Sequence, residues 1–289
     1  MDLGAPLAPL VLGLGSLSFA AMILSRADFD FLWKRPLRTD DYAASHLEKP
    51  TGEKSRADHK AKHMAIVMDG NRRYGRLRKG NAMSGHWEGG KTLVNVVEWC
   101  IEEGLEMLTV YAFSTENWNR EETEVETLMT IFVQYATTLL EEALKNNVRV
   151  KVLCTDHARL PPKVQASMTE LEGKTHACTG FQLNVCLSYG SRAEIALAAK
   201  SLAEEVATGT RSPDSIDEAA VASRLATSEL PDPDILVRTS GEHRLSNFLL
   251  WQLAYTEMFF VNKLWPELTR TDLKDILSQY ATRSRRYGT

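Results

Sequence analysis

The sequence predicts an α/β domain, a mostly parallel central sheet flanked by helices, set behind an N-terminal hydrophobic segment. Two patterns predict the domain. Short apolar runs alternate with helix-period segments from His63 onward, and polar clusters recur directly after the runs that read as strands. The 289 residues are 44% hydrophobic and 25% charged, which is enough apolar material for a core and too much for a disordered chain. A net charge of −4 argues against a chain built to wrap nucleic acid, because phosphate binding along a polymer needs a strongly basic face, though local basic clusters remain open.

The first element is the uncharged run LGAPLAPLVLGLGSLSFAAMIL, from Leu3 to Leu24, about the length of a bilayer-spanning helix. Residues 1–25 are read as a hydrophobic anchor or targeting segment, with a peripheral hairpin or a cleaved signal peptide as open alternatives. Arg26, Lys34, Arg35 and Arg38 follow it closely, so an anchored chain would keep everything downstream in the cytosol. Residues 26–62 turn polar without periodicity and read as a linker, leaving 63–289 as one domain.

Within that domain HMAIVM reads as a buried strand closed by the turn formers Asp69, Gly70 and Asn71. A helix with Leu93, Val96, Val97, Cys100 and Ile101 on one face ends at Gly104. LEMLTVYAF is the second strand, and Thr123 with Glu126 suggests a capping box opening a long helix through Asn147. VRVKVLC, FQLNVCLS, DILVRT and MFFV are further strands, separated by helices over PPKVQASMTELEG and RAEIALAAKSLAEEVATG. Ser215 with Glu218 caps a short helix, and TDLKDILSQYATRSRR closes the chain as another. Cys100, Cys154, Cys178 and Cys186 lack metal-site or disulfide spacing and read as small buried hydrophobes.

Parallel sheets bind ligands beyond the carboxyl ends of their strands. The clusters DGNRRYGR, STENWNR, SYGSR and RTSGEHRLSN all fall there, which would converge them on one crevice. Asp69 supplies a hard oxygen, Gly70 permits close backbone approach, and Asn71, Arg72 and Arg73 supply donors, a set suited to a magnesium diphosphate. Arg238, Arg244 and Ser246 could clamp a second phosphorylated group, while Glu242, His243 and Glu257 add metal-binding or proton-handling groups. Each cluster alone also reads as a helix start or a solvated charge run. There is no G-x-x-x-x-G-K-[ST] loop and no G-x-G-x-x-G after a strand, which disfavours P-loop and dinucleotide-binding enzymes. The apolar stripe of the long helix, Val125, Leu128, Met129, Phe132, Ala136, Leu139, Leu140 and Ala143, reads either as core packing or as the wall of an apolar tunnel.

HMAIVMDGNRRYGR, GHWEGG, YAFSTENWNR, LNVCLSYGSR and ILVRTSGEHRLSNFLLWQLAYTEMFF together closely resemble the cis-prenyltransferases, from about His63 to Gly288. Arg72-Arg73-Tyr74 looks like the eukaryotic branch, where bacterial members usually carry Gly-Arg-Trp. The resemblance implies stepwise addition of isopentenyl diphosphate to an allylic diphosphate such as farnesyl diphosphate, with Z geometry and Mg2+, giving a long polyprenyl diphosphate, the dolichol precursor. It implies Asp69 and Asn117 as catalytic residues, Asn117 accepting a proton or orienting the diphosphate that does. It places Gly70, Asn71, Arg72, Arg73, Tyr74, His86, Ser114, Thr115, Glu116, Trp118 and Arg120 around the allylic diphosphate. Arg238, Arg244, Ser246, Arg286 and Gly288 would hold isopentenyl diphosphate, and Asp69, His243 and Glu257 the metal.

One departure is visible, since Ala82 stands where the family usually has arginine, with Arg76, Arg78 or Lys79 as possible substitutes. The tail Arg286-Tyr287-Gly288 resembles one that completes a neighbouring subunit's site, which implies a homodimer of a single-subunit enzyme. Membrane attachment through the N-terminal segment implies the endoplasmic reticulum, with the catalytic domain facing the cytosol. A non-catalytic supporting subunit of the same fold is the rival reading, and the intact Asp69, Gly70, Asn71 and Arg73 argue against it.

Overall fold

The computed structural model describes residues 60–283, so the segment 1–25, most of the 26–62 linker, Arg286 and Gly288 lie outside the described residues. Six strands form one sheet: β1 (His63–Val67), β2 (Met107–Ser114), β3 (Val148–Leu153), β4 (Phe181–Tyr189), β5 (Ile235–Arg238) and β6 (Glu257–Phe260). Their order is β3-β4-β2-β1-β5-β6, and every pairing is parallel. The helices are α1 (Asn71–Lys79), α2 (Ala82–Glu103), α3 (Glu122–Lys145), α4 (Pro162–Thr175), α5 (Ser191–Ala207), α6 (Glu218–Ala222) and α7 (Arg270–Thr282).

All five residues of β1 are buried, as a central strand covered on both faces requires. Alternation along the strand then sorts two cores. Met64 and Ile66 join Leu108, Val110, Leu183, Val185 and the α2 residues Val96 and Cys100, while Ala65 and Val67 join Tyr111, Tyr189, Leu236 and Phe248. The chain leaves β1 toward β2 on one side and places β5 on the other, which opens a crevice at the carboxyl end of β1.

Several boundaries differ from the sequence reading. The DGNRRYGR cluster is not a loop throughout, because α1 starts at Asn71. No Thr123 capping box forms, since α3 already begins at Glu122. Asp217 rather than Ser215 caps α6, its side chain accepting from Ala220 N–H at 2.8 Å. The final helix stops at Thr282. The end of the predicted linker belongs to the domain, with Ala61 buried and Lys62 N–H donating to Asp234 Oδ2 at 2.8 Å. The apolar stripe of α3 is used in packing: Met129 and Phe132 sit in a cluster with Phe113, Leu160 and Val164, and Ala136 and Ala143 join the larger core.

Candidate active site

β1 hands the chain to Asp69, and Gly70 turns it with φ +103°, in the left-handed region where a Cβ is strained. α1 starts at the next residue with no side-chain cap and no acidic residue in its first turn. An N-terminus of this kind carries unsatisfied N–H groups and the positive end of the helix dipole. It forms one wall of a 460 Å³ cavity lined by Met68, Asp69, Gly70, Asn71, Arg72, Arg73, Arg76, Leu77, His86 and Arg120. Four guanidinium-bearing residues around a helix N-terminus make an anion site.

α1 has no apolar stripe, and it is held in place by close approach. A Cβ on Gly85 would lie 1.8 Å from the Asn71 carbonyl oxygen, and one on Gly89 would lie 2.1 Å from Asn71 Oδ1. Trp265, wholly buried, ties the same corner together: its indole donates to the Gly89 carbonyl at 2.8 Å and its backbone N–H to the Asp69 carbonyl at 2.9 Å.

The next strand supplies the second half. Arg238, at the end of β5 and 3% exposed, donates to Asp69 Oδ2 at 2.8 Å and to Ser246 Oγ at 2.9 Å, and also to the Arg244 carbonyl. Thr239 Oγ1 donates to the Asp69 carbonyl at 2.7 Å. Arg73 reaches Ser240 Oγ at 2.8 Å and Glu242 at 3.4 Å, and Glu242 also pairs with Arg244. On the other flank buried Glu124 pairs with Arg72 at 3.1 Å and Arg120 at 2.9 Å. Glu124 thus holds two of the cavity's arginines in place, and Glu242 holds Arg73 beside Arg244. His86 lies among them; burial, with the Arg120 and Arg72 charges and against that of Glu124, pushes its pKa down to about 4. It is neutral at pH 7, and its buried Nε2 has no hydrogen-bond partner.

The β2 loop forms a short 3-10 turn closed by a capping box: Asn117 Oδ1 accepts from Ser114 N–H at 3.1 Å, and the Ser114 side chain accepts from the Asn117 backbone. The oxygen that proton acceptance would use is thus engaged with the backbone. Trp118 donates to Ser188 Oγ at 2.9 Å beneath the Arg159 guanidinium, and Thr115 and Glu116 face Gly190 and Asn247.

Of the sequence-predicted residues, Asp69, Gly70, Asn71, Arg72, Arg73, His86 and Arg120 come together at one cavity. Arg238 and Ser246 adjoin it through Asp69, while Tyr74 is held in α1 by its N–H bond to Gly70. The three residues assigned to metal are not assembled within the chain. His243 stacks on Phe260 with ring centroids 4.7 Å apart. Glu257 begins β6 at the opposite, amino-terminal edge of the sheet and pairs with Arg283 at 2.6 Å. Among the described residues no cluster of three His, Cys, Asp or Glu could hold a metal. One carboxylate, Asp69, beside an anion site still fits Mg2+, which commonly binds through one or two carboxylates plus substrate phosphates. Of the three residues named as substitutes at the Ala82 departure, Arg76 lines the cavity, whereas Arg78 pairs with Glu267 and Lys79 with Glu88. Sequence reasoning assigned no role to Glu124 and Trp265, or to Thr239, Ser240 and Asn247 in and beside the RTSGEHRLSN cluster, because their polar bonds reach across the chain.

The family described as "Putative undecaprenyl diphosphate synthase" matches residues 67–288. An isoprenyl transferase of Geobacillus kaustophilus is 44% identical over 78% of this chain and 88% of its own length. A (2E,6E)-farnesyl-diphosphate-specific ditrans,polycis-undecaprenyl-diphosphate synthase of Xanthomonas campestris pv. campestris is 42% identical over 78% of this chain and 88% of its own. The crystal structure of lavandulyl diphosphate synthase from Lavandula x intermedia, in complex with dimethylallyl diphosphate, superimposes with a TM-score of 0.77 at 34% identity, covering 80% of this chain and 99% of that one. With a parallel sheet that gathers an uncapped helix N-terminus, Asp69 and four arginines at its carboxyl edge, and with matches of this extent, the chain belongs to the cis-prenyltransferase family.

Proposed function

We propose that this chain adds isopentenyl diphosphate units to farnesyl diphosphate with the help of Mg2+, and that its long Z-polyprenyl diphosphate serves as a dolichol precursor. The observation that carries the reading is the 460 Å³ cavity, where the α1 N-terminus meets Arg72, Arg73, Arg76 and Arg120 beside Asp69. That set suits the diphosphate of an allylic substrate, the class named for the Xanthomonas relative and bound in the Lavandula structure.

In this reading the arginines and helix N-terminus hold the allylic diphosphate and stabilise the charge that builds on it as its C1–O bond breaks. Asp69 would hold magnesium, whose chemistry when bound is further neutralisation of that departing diphosphate. Arg238, Arg244 and Ser246 orient isopentenyl diphosphate so that its terminal alkene carbon bonds to allylic C1. A proton then leaves the new chain for the released diphosphate. Asn117, its oxygen committed to Ser114, orients the loop that faces this transfer. Residues 1–25 tether the chain to the endoplasmic reticulum membrane, and Arg286 and Gly288 complete the site of a second copy in a homodimer.

The purified chain, farnesyl diphosphate, labelled isopentenyl diphosphate and magnesium test the proposal, with products sized by chromatography. Incorporation into long chains is expected. Failure to transfer would overturn it, and transfer only after a partner protein is added would establish the supporting-subunit reading. A chain ending at Arg285 should lose transfer and show altered light scattering only if the tail also holds the dimer. Sedimentation of the full chain with membranes tests the tether.

A further inference from the structure

Asn247 follows Ser246 in the loop after β5 and adopts the left-handed conformation, φ +64°. Each of its polar groups save its backbone N–H is used between elements. Its carbonyl accepts from Ser191 N–H at 2.9 Å, and its Oδ1 accepts from Arg192 N–H at 2.8 Å, which together cap the start of α5. Its Nδ2 donates to Glu116 Oε1 at 2.8 Å. One side chain therefore joins three loops, those after β2, β4 and β5. The junction is tight: a Cβ on Gly190 would lie 2.5 Å from Thr115 Oγ1 and 2.7 Å from Asn247 Nδ2.

The neighbouring residue widens the consequence. Ser246 Oγ takes a hydrogen bond from Arg238, and Arg238 holds Asp69. Two successive residues of one loop thus fix opposite halves of the site, Ser246 the Arg238–Asp69 pair and Asn247 the Glu116 turn with its Ser114–Asn117 capping box. Partial burial disfavours the Glu116 carboxylate, yet hydrogen bonds led by that of Asn247, with Thr115 and Ser114 contributing, keep its pKa below the ordinary carboxylate range.

We propose that Asn247 is a positioning residue of the prenyl-transfer site, holding the Glu116 turn against the β5 loop through its amide donor. The inference rests on the transfer activity proposed above. Asn247 does not line the cavity, and it acts through Glu116.

The amide offers a test that separates positioning from a merely structural role. Asn247→Asp keeps the tolerance for left-handed backbone and the acceptor for Arg192 N–H, but it loses the donor and sets one carboxylate against another. A merely structural role predicts a lower melting temperature with wild-type kinetics per folded molecule for this variant. The positioning role predicts a loss of about tenfold or more in kcat/KM for the allylic diphosphate. KM for isopentenyl diphosphate should stay within about twofold, because Ser246 and Arg238 keep their bond.

Glu116→Gln supplies the second arm, since the double variant Glu116→Gln/Asn247→Asp rebuilds the pair with donor and acceptor exchanged. The penalty of Asn247→Asp should shrink by about tenfold when it is introduced into the Glu116→Gln variant. Equal penalties in both backgrounds, or wild-type kinetics for Asn247→Asp, would overturn the proposal. If Asn247→Asp does not fold, recovery of folding by the double variant supports the pairing and failure to recover refutes it. An inactive wild-type chain would instead sink the assigned activity, so the two failures are distinguishable.

Discussion

The two edges of the sheet are built from similar residues to opposite effect. At the amino-terminal edge polar groups are matched: Lys62 pairs with Glu106, the Lys62 and His63 N–H groups both reach Asp234, and both His63 nitrogens are bonded. At the carboxyl-terminal edge three buried polar atoms are left over, Asn71 Oδ1, His86 Nε2 and Arg238 Nε, against Gln252 Oε1 and Arg270 Nε elsewhere among the described residues. Five of the seven non-glycine residues recorded at positive φ lie in that edge's loops or at a strand end there: Ser188, Ser240, Ser246, Asn247 and Leu249. A serine or leucine held there costs about 1–2 kcal/mol in isolation, an asparagine less. Strain and unmet hydrogen bonds gathered mostly at one edge of the sheet mark where the fold has been shaped for a ligand rather than for itself.

The sharpest way to break this contrast is Asp69→Asn. The amide oxygen can still accept from Arg238, so the carboxyl edge keeps its architecture while losing a negative charge and a metal ligand. Turnover should fall by roughly 10²–10³ with a melting temperature near that of the wild type. Near wild-type turnover in a folded variant would remove Asp69 from the chemistry. Gly85→Ala comes next, because its Cβ would meet the Asn71 carbonyl at 1.8 Å and a backbone oxygen cannot rotate away. It should cost about 1–3 kcal/mol in stability and displace the α1 N-terminus. Anion affinity, measured by calorimetry with a diphosphate, should drop with it; unchanged affinity would mean that α1 does not need this fit.

How much of this could be read in the sequence depends on the range of the interaction responsible. The alternation of strands and helices is local periodicity, and β1 through β5 follow it closely. α1 escapes because NRRYGRLRK has no apolar period, and what stabilises it is the approach to Gly85 and Gly89 and the reach of Trp265 from the far end of the chain. The Thr123 cap fails for a related reason, since Glu121 and Glu122 already start the helix and Thr123 falls within it. In the site, Asp69, Arg73, His86 and Arg120 were legible as motif residues. Glu124 was hidden in an acidic run, and only the fold sets it between Arg72 and Arg120. The metal assignments to His243 and Glu257 came from the motif alone, and parallel topology separates Glu257 from Asp69 by the length of a strand.

A finer comparison uses two arginines of the same helix. Arg76 lines the cavity, and Arg78, two residues on, is spent on Glu267. Arg76→Ala should raise KM for the allylic diphosphate about tenfold, the scale of one charge-assisted hydrogen bond. Arg78→Ala removes an exposed ion pair and should change KM by less than about twofold. Equal effects would show that the cavity draws on the general basicity of α1 and not on a placed side chain, leaving the Ala82 departure uncompensated.

The smallest effect on catalysis belongs to the matched edge, where His63 should act on stability alone. Its Nδ1 donates to the Pro231 carbonyl at 2.7 Å, so Nε2 accepts the Thr109 hydroxyl at 2.7 Å, and that hydroxyl accepts from Asn184. Burial pushes the imidazole pKa from 6.5 down to about 4, with the Pro231 bond opposing it. The unfolded chain therefore binds a proton that the folded chain refuses between those two values. The stability that neutral His63 allows is complete above about pH 6.5 and is lost as the pH falls toward about 4. By pH 5 the loss from this one group is about 2 kcal/mol. His86 titrates in the same direction for the same leading reason, so both histidines steepen the acid limb. His63→Gln should lower stability at pH 8, flatten the fall between pH 8 and pH 5 in urea unfolding, and leave transfer per folded molecule unchanged. His86→Gln should flatten the same limb and also raise KM, because only His86 lines the cavity. A His63 variant whose acid limb runs parallel to that of the wild type, or whose KM moves with that of the His86 variant, would erase the distinction between an edge built for the fold and an edge built for the ligand.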